Sequence, residues 1–492
     1  MKGFLSNLKL LQKLKYCLLS GAGCFPALVF AGNKVEHHDP VASVILWVTL
    51  IIFFAIIGRY IARQLNQPGV LGELLMGVLI GNLCYFFNLQ LAVILREGAA
   101  IFDITQDMLS GSPLAKAVKD NISNPFYANQ VVAALSSAQG SNLLKVSYIL
   151  DIFSRYGVVF LLFMVGLESS VQELKQTGKE SIKVAIIGVV APMLLGFCGA
   201  RFLLPGATYE AALFVGATLS ATSIGITASV FKEMKKLRTR EARTILGAAM
   251  IDDILGLIIL AVVSSMVISG AVDITTVGRI IISAILFFCG VLMIGPRLLR
   301  AAVHFFGFLE LWEIKLFISF LFLMTLAWLA TVVDLATIIG AFAAGLILHD
   351  NFFESRAGKG DDDLRLSIKN LIMPLESILA PLFFILIGIQ VKIETFLNGH
   401  VLLMASGLIA AAIVGKILSG FGGAQKDDRL LIGIGMLPRG EVGLVFASVG
   451  RTLGIMSDEL FSAVILVIVV TTLATPPLLK ARYAKKVQES RL

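Results

Sequence analysis

The chain has 492 residues and a formal net charge of +8, with 57% hydrophobic and only 15% charged residues. Its long apolar runs are those of a multi-pass membrane protein and exclude a soluble domain built on one water-shielded core. The positive charge forms no basic stripe with interleaved aromatics, so nucleic acid is not an expected partner. The five cysteines, Cys17, Cys24, Cys84, Cys198 and Cys289, have neither metal-ligand spacing nor a disulfide framework and read as packing residues.

Residues 1–31 open with basic residues, continue through a short apolar centre and end with Val29 and Ala31 spaced as at a signal-peptide cleavage site. The expectation is a secretory signal peptide, with residue 40 onwards starting outside. Thirteen segments of spanning length follow: 42–62, 68–87, 146–168, 182–204, 209–231, 245–269, 274–296, 312–332, 334–349, 372–391, 399–421, 428–450 and 458–479. Lysine and arginine concentrate in the connections on one side, among them "KEMKKLRTREAR" and the tail "KARYAKKVQESRL". The positive-inside rule then orients the chain in the cell (inner) membrane with its N-terminus outside and its C-terminus, residues 481–492, in the cytoplasm.

The transmembrane domain covers 42–480 and is interrupted by a polar insert at 88–145. Amphipathic patches there such as "LAKAVKDNI" suit an extracytoplasmic elaboration on the membrane surface. The connection "FFESRAGKGDDDLRLSIK" is a mixed charge run expected to be a solvated loop; its Asp361, Asp362 and Asp363 are a weaker candidate for a divalent ion. No Walker A motif follows the last span, so any uphill transport is expected to draw on another gradient.

Asp252 and Asp253 sit inside "GAAMIDDILGLIILAVVSSMVISG", which otherwise reads as lipid-compatible helix. An ionised carboxylate at bilayer depth costs at least about 2.5–3.5 kcal/mol, and two neighbours also repel. Adjacent helical positions diverge by about 100°, so the two acids cannot share one partner in the same geometry. One is expected to face a buried cation and the other a water-filled cavity; the plainer alternative is a pair that only bridges helices. Lys416 is the one lysine deep in an apolar segment of the second half, and it either neutralises an acid or snorkels to the surface.

Two other segments break helix rules. "GATLSATSIGIT", 216–227, is crowded with Gly, Ser and Thr, including Thr218, Ser220, Thr222 and Ser223. "GIGMLPRGEVGLVF", 433–446, holds Pro438, Arg439, Gly440 and Glu441, of which Arg439 and Glu441 can neutralise one another. Small residues alone usually mean close helix packing. Interrupted helices in corresponding positions of two halves point instead to a transporter site near the bilayer midplane. These segments are fifth and twelfth, hence fifth in each of two six-helix sets if the seventh is a linker. The fold class expected is an all-α polytopic membrane protein of about thirteen transmembrane helices, with two inverted repeats and crossed broken helices. Half-helix ends near Asp253, with the hydroxyls of Thr218, Ser220 and Thr222, suit a dehydrated alkali cation.

The set "QPGVLGELLMGVLIGN", "LLFMVGLESSVQELKQ", "GATLSATSIGIT", "MIDDILGL", "IIGAFAAGLIL", "PLFFILIGIQV" and "GMLPRGEVGLV" resembles the monovalent cation:proton antiporter superfamily in its sodium/proton exchanger branch, most of all the bacterial NapA-type electrogenic antiporters. The resemblance implies a homodimer, a mobile core that moves like an elevator against a static domain, and no cofactor beyond the transported Na+ (or K+ or Li+) and H+. It also implies that Asp253 binds cation and proton, with Thr222 beside it. Asp252 would pair with Lys416, and Arg439 and Glu441 would form an ion pair at the second break. An Asp-Asp pair implies two protons exchanged per sodium ion.

The expected function is therefore a secondary antiporter, not an enzyme. Potassium/proton exchange is the nearest rival, because ion choice depends on oxygen geometry. An intramembrane aspartyl protease fits badly, since its carboxylates must face each other from separate elements to share a proton. A channel would not need titratable acids for coupling.

Overall fold

In the computed structural model, residues 41–65, 67–98, 100–122, 124–168, 178–203, 207–236, 239–269, 274–333, 335–353 and 367–489 are described, and their regular structure is entirely helical. In chain order the helices are α1 (Ala42–Gln64), α2 (Gly69–Phe86), α3 (Gln90–Leu95), α4 (Ala100–Leu109), α5 (Leu114–Asn121), α6 (Pro125–Leu135) and α7 (Gly140–Glu168). There follow α8 (Lys179–Leu203), α9 (Tyr209–Ser220), α10 (Ile224–Glu233), α11 (Arg240–Ser269), α12 (Ile274–Phe305), α13 (Leu311–Val332) and α14 (Thr337–Ile347). The last are α15 (Ile368–Gln390), α16 (Gly399–Ser419), α17 (Arg429–Gly435), α18 (Glu441–Thr452) and α19 (Asp458–Glu489). The signal segment 1–31 and the acids Asp361, Asp362 and Asp363 lie outside the described residues.

Ten described helices are long and apolar enough to cross a membrane. The other three expected segments are the two that break, α9–α10 and α17–α18, and α14. At 11 residues, α14 spans about 16 Å, roughly half the hydrocarbon thickness. It can be short because Ile338 to Ile347 are all buried, so it never has to face lipid along its length.

The helices group into two bundles joined through α12. In the first, α15 packs on α7 and α2, α14 packs on α7 and α13, and α1 packs on α2. In the second, α8 packs on α16, α9 and α11, while α19 packs on α16, α17 and α18. Numbering the thirteen segments as six, a linker and six, these pairings come in symmetric couples. Contact α1–α2 corresponds to α13–α14, α2–α15 to α7–α14, and α9–α11 to α17–α19. The odd linker reverses the second half, so the expected inverted repeat is present.

Small residues let the backbones meet. A side chain on Gly345 would come within 2.1 Å of the Phe163 carbonyl, on Gly388 within 2.3 Å of the Leu74 carbonyl, and on Gly415 within 2.5 Å of the Pro192 Cα. Helix association in lipid depends on such close packing, since no water-driven hydrophobic force acts between spans. These glycine-to-backbone contacts fall inside one bundle or the other.

The insert forms α3 to α6, which share a small core of Ile104, Val118, Tyr127, Ala128 and Val131 and dock on α2, α7 and α15. Of the described cysteines Cys84 is buried as expected of a packing residue, whereas Cys198 and Cys289 are exposed on the helix surface. Gly345→Val forces the α7–α14 contact apart. It is expected to destabilise by at least the about 1–3 kcal/mol of an overpacked core, seen as a lowered melting temperature in detergent. An unchanged melt would mean that this contact is not tight.

Candidate functional site at the helix crossing

A broken helix leaves carbonyls at one half's end and amides at the other's start without intrahelical partners, and lipid offers no water to satisfy them. Here the two breaks cross and satisfy each other. The Ser223 amide donates to the Pro438 carbonyl at 2.8 Å. The Thr227 hydroxyl donates to the Gly435 carbonyl at 2.7 Å and Thr222 to Met436 at 3.4 Å, both at the C-terminal end of α17. Arg439 does the same for α9: its Nε donates to the Leu219 carbonyl at 3.1 Å, its Nη2 donates there as well, and further hydrogen bonds go to the carbonyls of Leu437 and Ala412. A guanidinium at a helix C-terminus also meets the negative end of the helix dipole. Gly440 permits the crossing, because a Cβ there would lie 2.7 Å from the Ser223 Oγ.

Beside the crossing, α11 and α16 bring their charges together. Lys416 Nζ lies 3.3 Å and 3.4 Å from the two Asp252 oxygens, with both side chains fully buried. Lys416 therefore does not snorkel. The Thr222 hydroxyl and the Arg439 guanidinium also face Asp252, and Asp253 lies within the electrostatic reach of Lys416. Asp253 is itself 4% exposed.

The expected residues thus converge, with differences in detail. Thr218 and Ser220 donate back into their own helix, to the Phe214 carbonyl at 2.8 Å and the Ala217 carbonyl at 2.7 Å, which leaves their oxygen lone pairs as acceptors only. The Glu441 side chain lies outside the described residues, so its pairing with Arg439 does too. A cleft of about 670 Å³ runs between the two bundles and ends on Arg439, Gly440 and Thr472. Its mouth carries Arg63, Gln67, Glu168 and Lys369, and neither aspartate forms part of its wall.

The description "Sodium/hydrogen exchanger, transmembrane" matches residues 49–481. The chain belongs to the sodium/hydrogen exchanger family. Among relatives of this exchanger, the high-affinity Na+/H+ antiporter NhaS3 of Synechocystis is 36% identical over 456 residues, which cover 90% of this chain and 91% of that protein. The Na+/H+-K+ antiporter GerN of Bacillus cereus is 29% identical over 405 residues, covering 81% and 97%. In fold, the exchanger matches the sodium proton antiporter MjNhaP1 of Methanocaldococcus jannaschii with a TM-score of 0.55 at 18% identity, over 91% of this chain and 98% of that one.

Sequence reasoning missed one charged cluster of the exchanger entirely, around Lys392, Arg96 and Asp458 at the opposite end from the cleft mouth. A lysine immediately past a span reads as an interfacial anchor, and nothing local betrays that Lys392 is fully buried.

The buried pair yields a test. Removing one member of such a pair strands the other, at about 3–5 kcal/mol. Lys416→Met is accordingly expected to destabilise the protein strongly, and Lys416→Met with Asp252→Leu to recover most of the loss in a double-mutant cycle of detergent melts. Additive losses would mean that the two groups are not coupled.

Proposed function

We propose that this exchanger is an electrogenic secondary antiporter that takes Na+ or Li+ against protons by alternating access. The observation carrying this reading is the buried constellation of Asp252, Asp253 and Lys416 at the crossing of two broken helices. Family membership supports the exchange of sodium and protons, and the name of NhaS3 supports sodium as the cation.

The chemistry follows from competition. An ionised Asp253 binds a dehydrated cation together with nearby oxygens, chiefly the Thr222 hydroxyl and those of Thr218, Ser220 and Ser223, and a protonated Asp253 does not. Either loaded form reduces the net charge at the site, whereas the empty ionised form bears the full desolvation cost of moving through a low-dielectric boundary. The cation-loaded and proton-loaded forms therefore cross and the empty one does not, which couples the two gradients. Asp252 and Lys416 supply the second charge change. When the first releases the second, Lys416 can give up a proton, so that two protons move per sodium ion and the cycle carries current. Arg439 holds the broken ends together, and Pro438 and Glu441 flank it at the second break.

Two features support a moving site. Glycine-to-backbone packing is confined within each bundle, so each is suited to move as a body. The cleft reaches the crossing from the face that carries Arg63, Glu168 and Lys369, as in one of two access states. With the N-terminus outside and the C-terminus inside, that face is cytoplasmic, in a protein of the inner membrane that works as a homodimer. Residues 1–31 then act as a signal peptide and the 88–145 insert lies on the outer side.

Purified protein in liposomes is expected to dissipate an imposed pH gradient on adding sodium or lithium, faster when the membrane potential is clamped by an ionophore. Dissipation by potassium alone would overturn the sodium reading, and insensitivity to the clamp would overturn electrogenicity. Asp253→Asn is expected to reduce coupled flux at least a hundredfold, whereas a passive channel would keep its flux.

A further inference from the structure

At the end of the molecule opposite the cleft mouth, charges from three separate parts of the chain meet in a buried network. Lys392, just past α15, is fully buried and lies 2.9 Å from Glu97 and 2.6 Å from Asp458. Arg451, in the last turn of α18, reaches Asp458 at 3.0 Å, the Gln390 carbonyl at 3.1 Å and the Arg96 carbonyl at 2.8 Å. Arg96 itself, 1% exposed, stacks over Tyr85 and binds Glu394 at 2.7 Å. Tyr127 closes the cluster from the insert, with its hydroxyl 3.1 Å from Glu394 and its ring under the Lys392 ammonium. Burial, reinforced by the Glu394 carboxylate, pushes the Tyr127 phenol above its usual range, so it remains a neutral donor.

The ownership of these groups matters more than their number. Arg451 and Asp458 belong to the bundle that carries Asp252, Asp253 and Lys416. Arg96, Glu97 and Tyr127 belong to the insert, which docks on the other bundle, and Lys392 and Glu394 follow that bundle's α15. One ion pair, Lys392–Asp458, and the two bonds from Arg451 to the carbonyls of Gln390 and Arg96 therefore cross the boundary between the bundles, at the end opposite the cleft mouth. Elsewhere along that boundary the wall of the cleft is largely apolar.

We propose that the insert is one half of a latch: Lys392, held by Glu97, grips Asp458 and the Arg96 carbonyl grips Arg451 while the site faces the cleft, and both let go each time the site turns to the insert face. This rests on the alternating-access reading and assigns the insert a role in it. A buried charge left without its partner is costly, so the latch opens as a unit and only if water enters. Glu394, 37% exposed in its side chain, and Asp458, 21% exposed, provide the way in. A static clamp would show the same contacts but would never have to open.

The test joins the two sides covalently. Glu97→Cys and Asp458→Cys are introduced into full-length protein whose native cysteines are replaced, and the pair is bridged in liposomes with a short, reducible bifunctional thiol reagent. Sodium-driven collapse of the pH gradient is expected to fall at least tenfold and to return on reduction. The same reagent on Asp151→Cys and Arg155→Cys, neighbours on one turn of α7, should have no effect. Exchange that persists through the Glu97–Asp458 bridge would overturn the latch and leave the antiport reading intact. Absence of exchange in the unaltered protein would overturn antiport itself. Should the double cysteine variant be inactive before bridging, hydrogen exchange on the unaltered protein decides. Adding sodium at alkaline pH is expected to deprotect 93–98 and 451–460 together, and unchanged protection there while the cleft segments respond would overturn the proposal.

Discussion

A helix interrupted in the middle of a membrane has exposed peptide groups and no solvent to meet them. That deficit organises this protein. It is met by having two interrupted helices cross, so that Thr227 and Thr222 serve the carbonyls at the end of α17, Ser223 serves the Pro438 carbonyl in the break, and Arg439 serves the end of α9. Arg439 thereby becomes a fully buried charge, and the crossing also lies beside Lys416 and Asp252. Once one guanidinium is fixed there, an acid nearby is less costly than it would be in lipid alone. The carboxylates on α11 are tolerated because the broken ends are already held by a cation.

Much of this was legible in the sequence because each costly feature is local. Two acids in an apolar run, a proline and glycines in the middle of another, and a lysine in a third each break a rule within a few residues. The correspondence of the two breaks across a six-plus-six arrangement was also readable from spacing. Other features were not, because they depend on partners far away. Arg439 bonds a carbonyl 220 residues distant, a partner that no local pattern announces. Lys392 meets Asp458 66 residues further on, and its burial follows from the way the insert folds over it. The shortness of α14 reflects burial on all sides, which hydropathy cannot distinguish from contact with lipid.

The two bundles differ in how they use small residues. In the first, Gly77, Gly157, Gly166, Gly345 and Gly388 bring α2, α7, α14 and α15 into backbone contact. In the second, Gly415 seats α16 on Pro192, Gly216 seats α9 on Met193, and Gly433 seats α17 against Ile417. The second set flanks the charged crossing, so the distances between Lys416, Asp252 and Thr222 depend on glycines that carry no chemistry themselves. Substitution there would disturb the site through the backbone.

The helices of the two halves pair in corresponding couples, and in the proposed alternating access an ideal pair of inverted copies would make the two ways of facing the membrane equal in free energy. The insert occurs in one half only, between α2 and α7, and has no counterpart between α14 and α15 among the described residues. It breaks the degeneracy. A protein with identical halves would rest with its populations even and respond alike to gradients of either sign. Under the alternating access proposed above, the insert gives this protein a built-in bias, so its resting population and its response to a reversed gradient need not mirror each other.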